Sequence, residues 1–182
     1  MPTTEMTAKG KPLVAILMGS DTDLPTMAEC ARVLEVYQIP YDIKVLSAHR
    51  SPEHATRFAR EAERRGFKVI IAGAGAAAHL AGVTAAHSTL PVIGVPLASS
   101  PLGGFDSLLS TVQMPPGIPV ATVGVGSAGA KNAGHLAATI LALEDTGLRR
   151  KVESLREQME REVLEKSKAL PRRLREVLGG EK

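Results

Sequence analysis

Leu13–Met18 (LVAILM) is an unbroken apolar run that stops on Gly19-Ser20. A run of that length with no polar alternation reads as a strand covered on both faces, which puts it inside a parallel sheet flanked by helices. Similar segments recur. Tyr41–Leu46 alternates and stops at the polar cluster Ser47–Pro52, and Val69–Ala72, Pro91–Val95 and Val120–Val125 read as further strands. Helical spacing fills the gaps. Met27, Ala31 and Leu34 follow a start at Asp23-Leu24-Pro25, Glu53–Arg65 ends on Gly66, and Ala128–Leu143 is Ala-rich and expected to be buried on most sides. Strands alternating with helices predict a three-layer, doubly wound α/β fold of the Rossmann or flavodoxin type, with right-handed crossovers. With 182 residues, 44% of them hydrophobic, the chain suits one core. The expected organisation is a flexible N-terminus over 1–11, an α/β domain over 12–146, a C-terminal helix over 147–170 and a frayed tail over 171–182.

In such sheets ligands sit beyond the carboxyl ends of the strands, so the segments after each strand carry the functional expectation. Gly19-Ser20 leads into a helix start whose free N–H groups and positive dipole end suit an anion. Asp23 either caps that helix, the plainer reading, or accepts from sugar hydroxyls. Ser47-Ala48-His49-Arg50 gathers a hydroxyl, an imidazole and a guanidinium in four residues. Arginine's planar fork matches phosphate, and histidine exchanges its proton near neutral pH. Folding alone seldom asks for such a cluster. Gly73-Ala74-Gly75-Ala76 offers backbone instead of side chains, for close approach to a ligand or for tight helix–strand packing. His79 follows it and either faces the pocket or makes a local hydrogen bond. His54, His87 and His135 fall in helical stretches and read as structural or surface residues.

Other classes are disfavoured. GAGAAA lacks the spacing of a dinucleotide fingerprint, and Leu90–Gly94 has no carboxylate to meet a ribose. The single cysteine, Cys30, excludes a disulfide framework, and the five histidines have no metal-site spacing. No apolar run is long enough to span a membrane, and the N-terminus has no signal-peptide core, so the cytoplasm is the expected compartment. The net charge of +3 lies in the tail: Arg149–Lys182 holds eleven Lys or Arg and seven Glu. Their alternation reads as a solvated helix face, with an RNA-binding tail as the alternative. Leu148, Val152, Leu155 and Met159 form an apolar stripe there, for packing on the chain's own domain or on a neighbouring subunit.

MGSDTD, SAHRSP, AGAGAAAHLAG, PVIGVPL, FDSLLSTVQMPPGIPVATV and AGAKNAGHLAATIL occur in this order. Together, over roughly Val14 to Leu143, they closely resemble the PurE family, the class I N5-carboxyaminoimidazole ribonucleotide mutases of purine biosynthesis. The resemblance implies movement of a carboxylate from the exocyclic nitrogen to ring carbon 4 of an aminoimidazole ribonucleotide, without metal or organic cofactor. By position it implies Ser20, Asp23 and Arg50 as ligands of the ribose phosphate. Ser47, the Ala74-Gly75-Ala76 backbone and His79 would line the base and carboxylate site, and His49 would be the general acid/base. It also implies a homo-oligomer, an octamer in the family. The sequence departs from the family pattern at Leu24 (often Trp), Thr22, Ser51, Ala76 (the second Gly of a pair) and Ala81 (Pro). A carboxylase using free carbon dioxide, a non-purine enzyme on the same scaffold and a non-catalytic nucleotide-binding module are the alternatives. In the carboxylase branch Lys typically replaces the residue at position 50.

Overall fold

The computed structural model describes residues 10–179; most of the expected flexible segment 1–11 and the last three residues lie outside them. Five strands, β1 (Val14–Met18), β2 (Tyr41–Val45), β3 (Val69–Gly75), β4 (Val92–Leu97) and β5 (Ala121–Thr122), form one sheet in the order β2-β1-β3-β4-β5. All four pairings are parallel. The helices are α1 (Leu24–Tyr37), α2 (Pro52–Glu61), α3 (Leu80–Ala86), α4 (Phe105–Val112), α5 (Gly126–Leu141) and α6 (Thr146–Gly179). The α/β class and doubly wound parallel sheet are as the sequence predicts.

Strand periodicity divides the core in two. Ala15 and Leu17 of β1, with Ile70 and Ala72 of β3, point to a cluster completed by Ala55 and Phe58 of α2 and by Leu80 and Ala81 of α3. The opposite face meets α1, which packs closely on α5. Val14, Ile16, Met18, Val69 and Ile71 are all buried, each such side chain contributing about 1.5–3 kcal/mol. On α5 the buried set is Gly129, Ala130, Ala133, Gly134, Ala137 and Ala138. This is one face and not most sides of the helix: its small residues allow close approach to α1 and to β3 and β4 beneath. A Cβ on Gly134 would lie 2.9 Å from the Cys30 carbonyl oxygen of α1.

The observed elements differ from the expected ones in three places. The strand expected over Val120–Val125 contracts to the two residues of β5, at the sheet edge, where only Ile93 and Gly94 pair with it. Helices α3 and α4 carry no strong periodic signal, yet α3 completes the core and α4 supplies Ser110, which bonds the loop after β3. Helix α6 continues across Pro171 to Gly179, through most of the segment expected to fray; residues 180–182 lie outside the described ones. Proline removes one hydrogen bond there, but the flanking Lys, Arg, Leu and Glu are strong helix formers. The described residues divide into two compact units, with the division between Leu141 and Ala142. In the second unit Asp145 Oδ1 accepts from the Leu148 N–H at 2.9 Å, fastening the start of α6. Among the described residues no helix is long and apolar enough to cross a membrane.

Candidate active site

The strand order reverses direction at β1, and its crevice opens between the carboxyl ends of β1 and β3, where ligands of such folds sit. A cavity of about 430 Å³ occupies that place, walled by Gly19, Ser20, Asp23, Ser47, His49, Arg50, Ala74, Gly75 and His79, together with Thr22, Ala48, Ala77, Leu80 and Ser99. Eight of the nine residues expected from the sequence therefore share one wall. Ala76 is the exception. A second recess of about 310 Å³ shares Gly19, Ser20, Ser47 and Arg50 with it.

The segment after β1 closes on itself. Ser20 Oγ accepts from the Thr22 N–H at 3.3 Å, and Asp23 Oδ2 accepts from the Ser20 N–H at 3.1 Å, a capping box around the 3-10 turn Asp21–Asp23. Asp23 thus does not cap α1, as the plainer reading expects; its side chain turns back to the preceding turn. The N–H groups expected to be free for an anion are largely used, since Gly19, Ser20, Thr22 and Asp23 all donate within the protein. Burial raises the Asp23 carboxyl above the usual carboxylate range; the Ser20 N–H and the Arg50 charge oppose the shift, and Asp21 adds to it. The stabilisation of its neutral form is complete below that range and is lost as pH rises through the raised value.

The segment after β2 is a tight turn. Ser47 Oγ accepts from the Arg50 N–H at 3.1 Å, and Ser51 Oγ accepts from the Ser47 N–H at 3.1 Å. The guanidinium reaches back across the sheet, donating from Nη2 to the Gly19 carbonyl at 2.7 Å. His49 and His79 meet at the cavity: Nε2 of one lies 2.8 Å from Nδ1 of the other, with the rings nearly perpendicular at 87°. A hydrogen bond between two imidazole nitrogens holds one proton, so the tautomer of each ring depends on the other. His79, open between two readings in the sequence, faces the pocket. His54, His87 and His135 bond to Arg57, the Val83 carbonyl and Tyr37, away from the cavity.

The Gly/Ala segment divides its functions. Gly73–Gly75 belong to β3 and pair with Val95–Leu97 of β4, so only Ala76 and beyond form a loop. A Cβ on Gly73 would lie 2.3 Å from Met27 Sδ, and one on Gly75 would lie 1.6 Å from Ser99 Oγ. Packing therefore accounts for both glycines, and Gly75 still borders the cavity. Ala76 adopts φ 51°, in the left-handed region. Ser110 of α4 anchors this bend, donating to the Ala76 carbonyl at 3.3 Å and accepting from the Ala78 N–H at 3.0 Å. Ser99 and Ser110 are the polar residues sequence reasoning missed. Ser110 lies within the quoted FDSLLS segment, but nothing local ties it to the third strand. Restoring glycine at 76 removes a Cβ from that region, and Ala76→Gly is expected to stabilise the fold by about 1 kcal/mol. A denaturation midpoint unchanged or lowered in that variant would contradict the strain.

Among the described residues no group of three or more His, Cys, Asp or Glu side chains is placed to hold a metal ion. What the site offers is an imidazole pair, a guanidinium, three serine hydroxyls and a small-residue floor.

The chain is similar to several known proteins. The family profile described as AIR carboxylase matches residues 13–162. The chain is 58% identical over 156 residues to the N5-carboxyaminoimidazole ribonucleotide mutase of Pyrococcus abyssi, covering 86% of this chain and 88% of that one. It is 55% identical over 160 residues to the protein of the same name from Bacillus subtilis, covering 88% and 99%. A relative from Candida glabrata, named phosphoribosylaminoimidazole carboxylase, is 48% identical over 160 residues, which are 88% of this chain but only 28% of that protein. The crystal structure of PurE from Treponema denticola superposes with a TM-score of 0.78 at 32% identity, covering 87% of this chain and 98% of that one. With the profile spanning most of its length, the chain belongs to the AIR carboxylase family.

Proposed function

We propose that this protein is a mutase of purine biosynthesis that converts N5-carboxyaminoimidazole ribonucleotide to 4-carboxy-5-aminoimidazole ribonucleotide. The observation that carries the reading is the presence of His49 and Arg50 on one cavity wall at the carboxyl ends of β1 and β3, in a chain whose relatives bear the mutase name.

The residues suit each demand of the reaction. Arg50, with the Ser20 and Ser47 hydroxyls, lies where the two recesses meet and would hold the phosphate. Asp23 would accept from the ribose hydroxyls, since a carboxylate repels a phosphate. The aminoimidazole and its carboxylate would lie over Ala74 and Gly75, where no bulky side chain intrudes. His49 would give a proton to the carboxylated nitrogen, so that the N–C bond breaks and carbon dioxide leaves. Carbon 4 then forms a bond to that carbon dioxide, and His49 removes the carbon 4 proton, restoring the aromatic ring. One proton is given and one recovered, so the imidazole ends as it began. His79 would hold the His49 ring in position and couple its tautomer. A closed site keeps carbon dioxide beside carbon 4, a gain of proximity. By resemblance to the family we assign the protein to the cytoplasm as a homo-octamer, with no cofactor.

The Candida relative's name keeps a carboxylase reading in view. A mutase converts the nitrogen-carboxylated substrate without added bicarbonate, ATP or metal, and with labelled bicarbonate present little label enters the product. Label-saturating turnover of the uncarboxylated ribonucleotide, with none of the carboxylated one, would assign the chain to the carboxylase branch.

A further inference from the structure

Helix α6 runs for 34 residues, about 51 Å at 1.5 Å per residue. Its apolar residues recur at an 11-residue spacing. Leu148, Val152 and Leu155 are followed by Met159 and Val163, then by Leu170, Leu174 and Val177. Lys166 takes the remaining position, and a lysine stem can cover apolar surface while its ammonium stays in water. Eleven residues make just over three whole turns, so the stripe drifts by only about 20° per repeat and stays on one side of a straight helix. Leu148 and Val152 are buried, whereas Val163 is 63%, Leu170 58%, Leu174 54% and Val177 79% exposed. The family profile ends at residue 162, so the outer stripe belongs to an extension beyond it. Helices of this kind draw most of their stability from packing an apolar face, which the outer half of α6 lacks.

The charges say what covers it. Residues 153–165 hold five Glu and two Arg, and residues 166–178 hold five Lys or Arg and one Glu. The extension is thus acidic in its first half and basic in its second. A parallel partner of the same sequence would set acid against acid and base against base, whereas an antiparallel one sets each block against its opposite. We propose that residues 155–178 of α6 pair antiparallel with the same segment of a second copy of this chain. The two-fold axis passes between Lys166 and Ser167. Met159 then stands opposite Leu174 and Val163 opposite Leu170, while Leu155 meets the Val177–Leu178 step, so the stripe meets its own copy in a symmetric contact. This pairing does not depend on the catalytic reading.

Cysteine cross-linking of the full chain tests it. Burial pushes the Cys30 thiol up to about 12, so the native cysteine stays unreactive under mild oxidation. Lys166→Cys places thiols beside the axis, and copper–phenanthroline is expected to shift most of that variant to a disulfide-linked dimer on a non-reducing gel. Leu155→Cys lies on the same stripe one repeat earlier, where antiparallel pairing separates the two copies by about 34 Å; that variant is expected to stay monomeric on the gel. Adding Leu170→Asp to Lys166→Cys is expected to abolish the dimer. Equal cross-linking of both single-cysteine variants would mean parallel pairing and overturn the proposal. Absence of cross-linking in both would also overturn it, and binding of a single-stranded RNA oligonucleotide in that case would reassign the basic block to an anionic partner.

Discussion

His49→Asn is expected to fold, to bind the product ribonucleotide about as the wild type does, and to lose roughly 10²- to 10⁴-fold in turnover, the usual contribution of a positioned general acid/base. Asparagine preserves a polar group of similar reach but offers no proton that exchanges near neutral pH. The step it removes is specific: without protonation of the carboxylated nitrogen, carbon dioxide does not leave, and without a base the carbon 4 proton stays. In the proposed mechanism ground-state binding would rest on Arg50, Ser20, Ser47 and Asp23, none of which depends on His49 for its hydrogen bonds. The decisive measurement is a pair: turnover with the nitrogen-carboxylated substrate, and product binding by calorimetry. Wild-type turnover would remove His49 from the chemistry. Binding lost in parallel with turnover would show that the imidazole holds the substrate and does not carry its proton.

Arg50→Ala has the opposite profile, with affinity for phosphorylated ligands falling by about 1.5–3 kcal/mol, roughly tenfold to 150-fold. In the unliganded protein the guanidinium donates to the Gly19 carbonyl at 2.7 Å. It holds further N–H groups for a phosphate, and it sits where the two recesses meet. The backbone N–H groups of the 3-10 turn are mostly engaged, so Arg50 would be the main cationic donor for that phosphate. The unphosphorylated nucleoside should bind wild type and variant alike. A variant that still prefers the phosphorylated ligand as strongly as the wild type does would place the phosphate elsewhere.

Much of the molecule was legible along the chain. The unbroken apolar run of β1 and the Ala- and Glu-rich stretch of α2 announced their elements, because burial on two faces or on one leaves a periodic trace. The site was legible for the same reason: a parallel sheet collects the segments that follow its strands, and Ser47-Ala48-His49-Arg50 is one of them. Short elements were not. Helix α3 has 7 residues and α4 has 8, too few turns for a periodic signal, and β5 is held by an edge pairing that no local pattern encodes.

The amino-acid sequence by itself determined the alternation of strands and helices, the family and which loops line the cavity, because each of these is written in residues near one another in the chain. Tertiary structure alone decided the rest. It joined His49 to His79, thirty residues apart, in a single hydrogen bond. It assigned Gly73 and Gly75 to packing against Met27 and Ser99, and bent Ala76 into the left-handed region under the hold of Ser110. These contacts arise from strand pairing and from helices laid across the sheet, so the partner of each group is set by the order β2-β1-β3-β4-β5 and not by its neighbours in the chain.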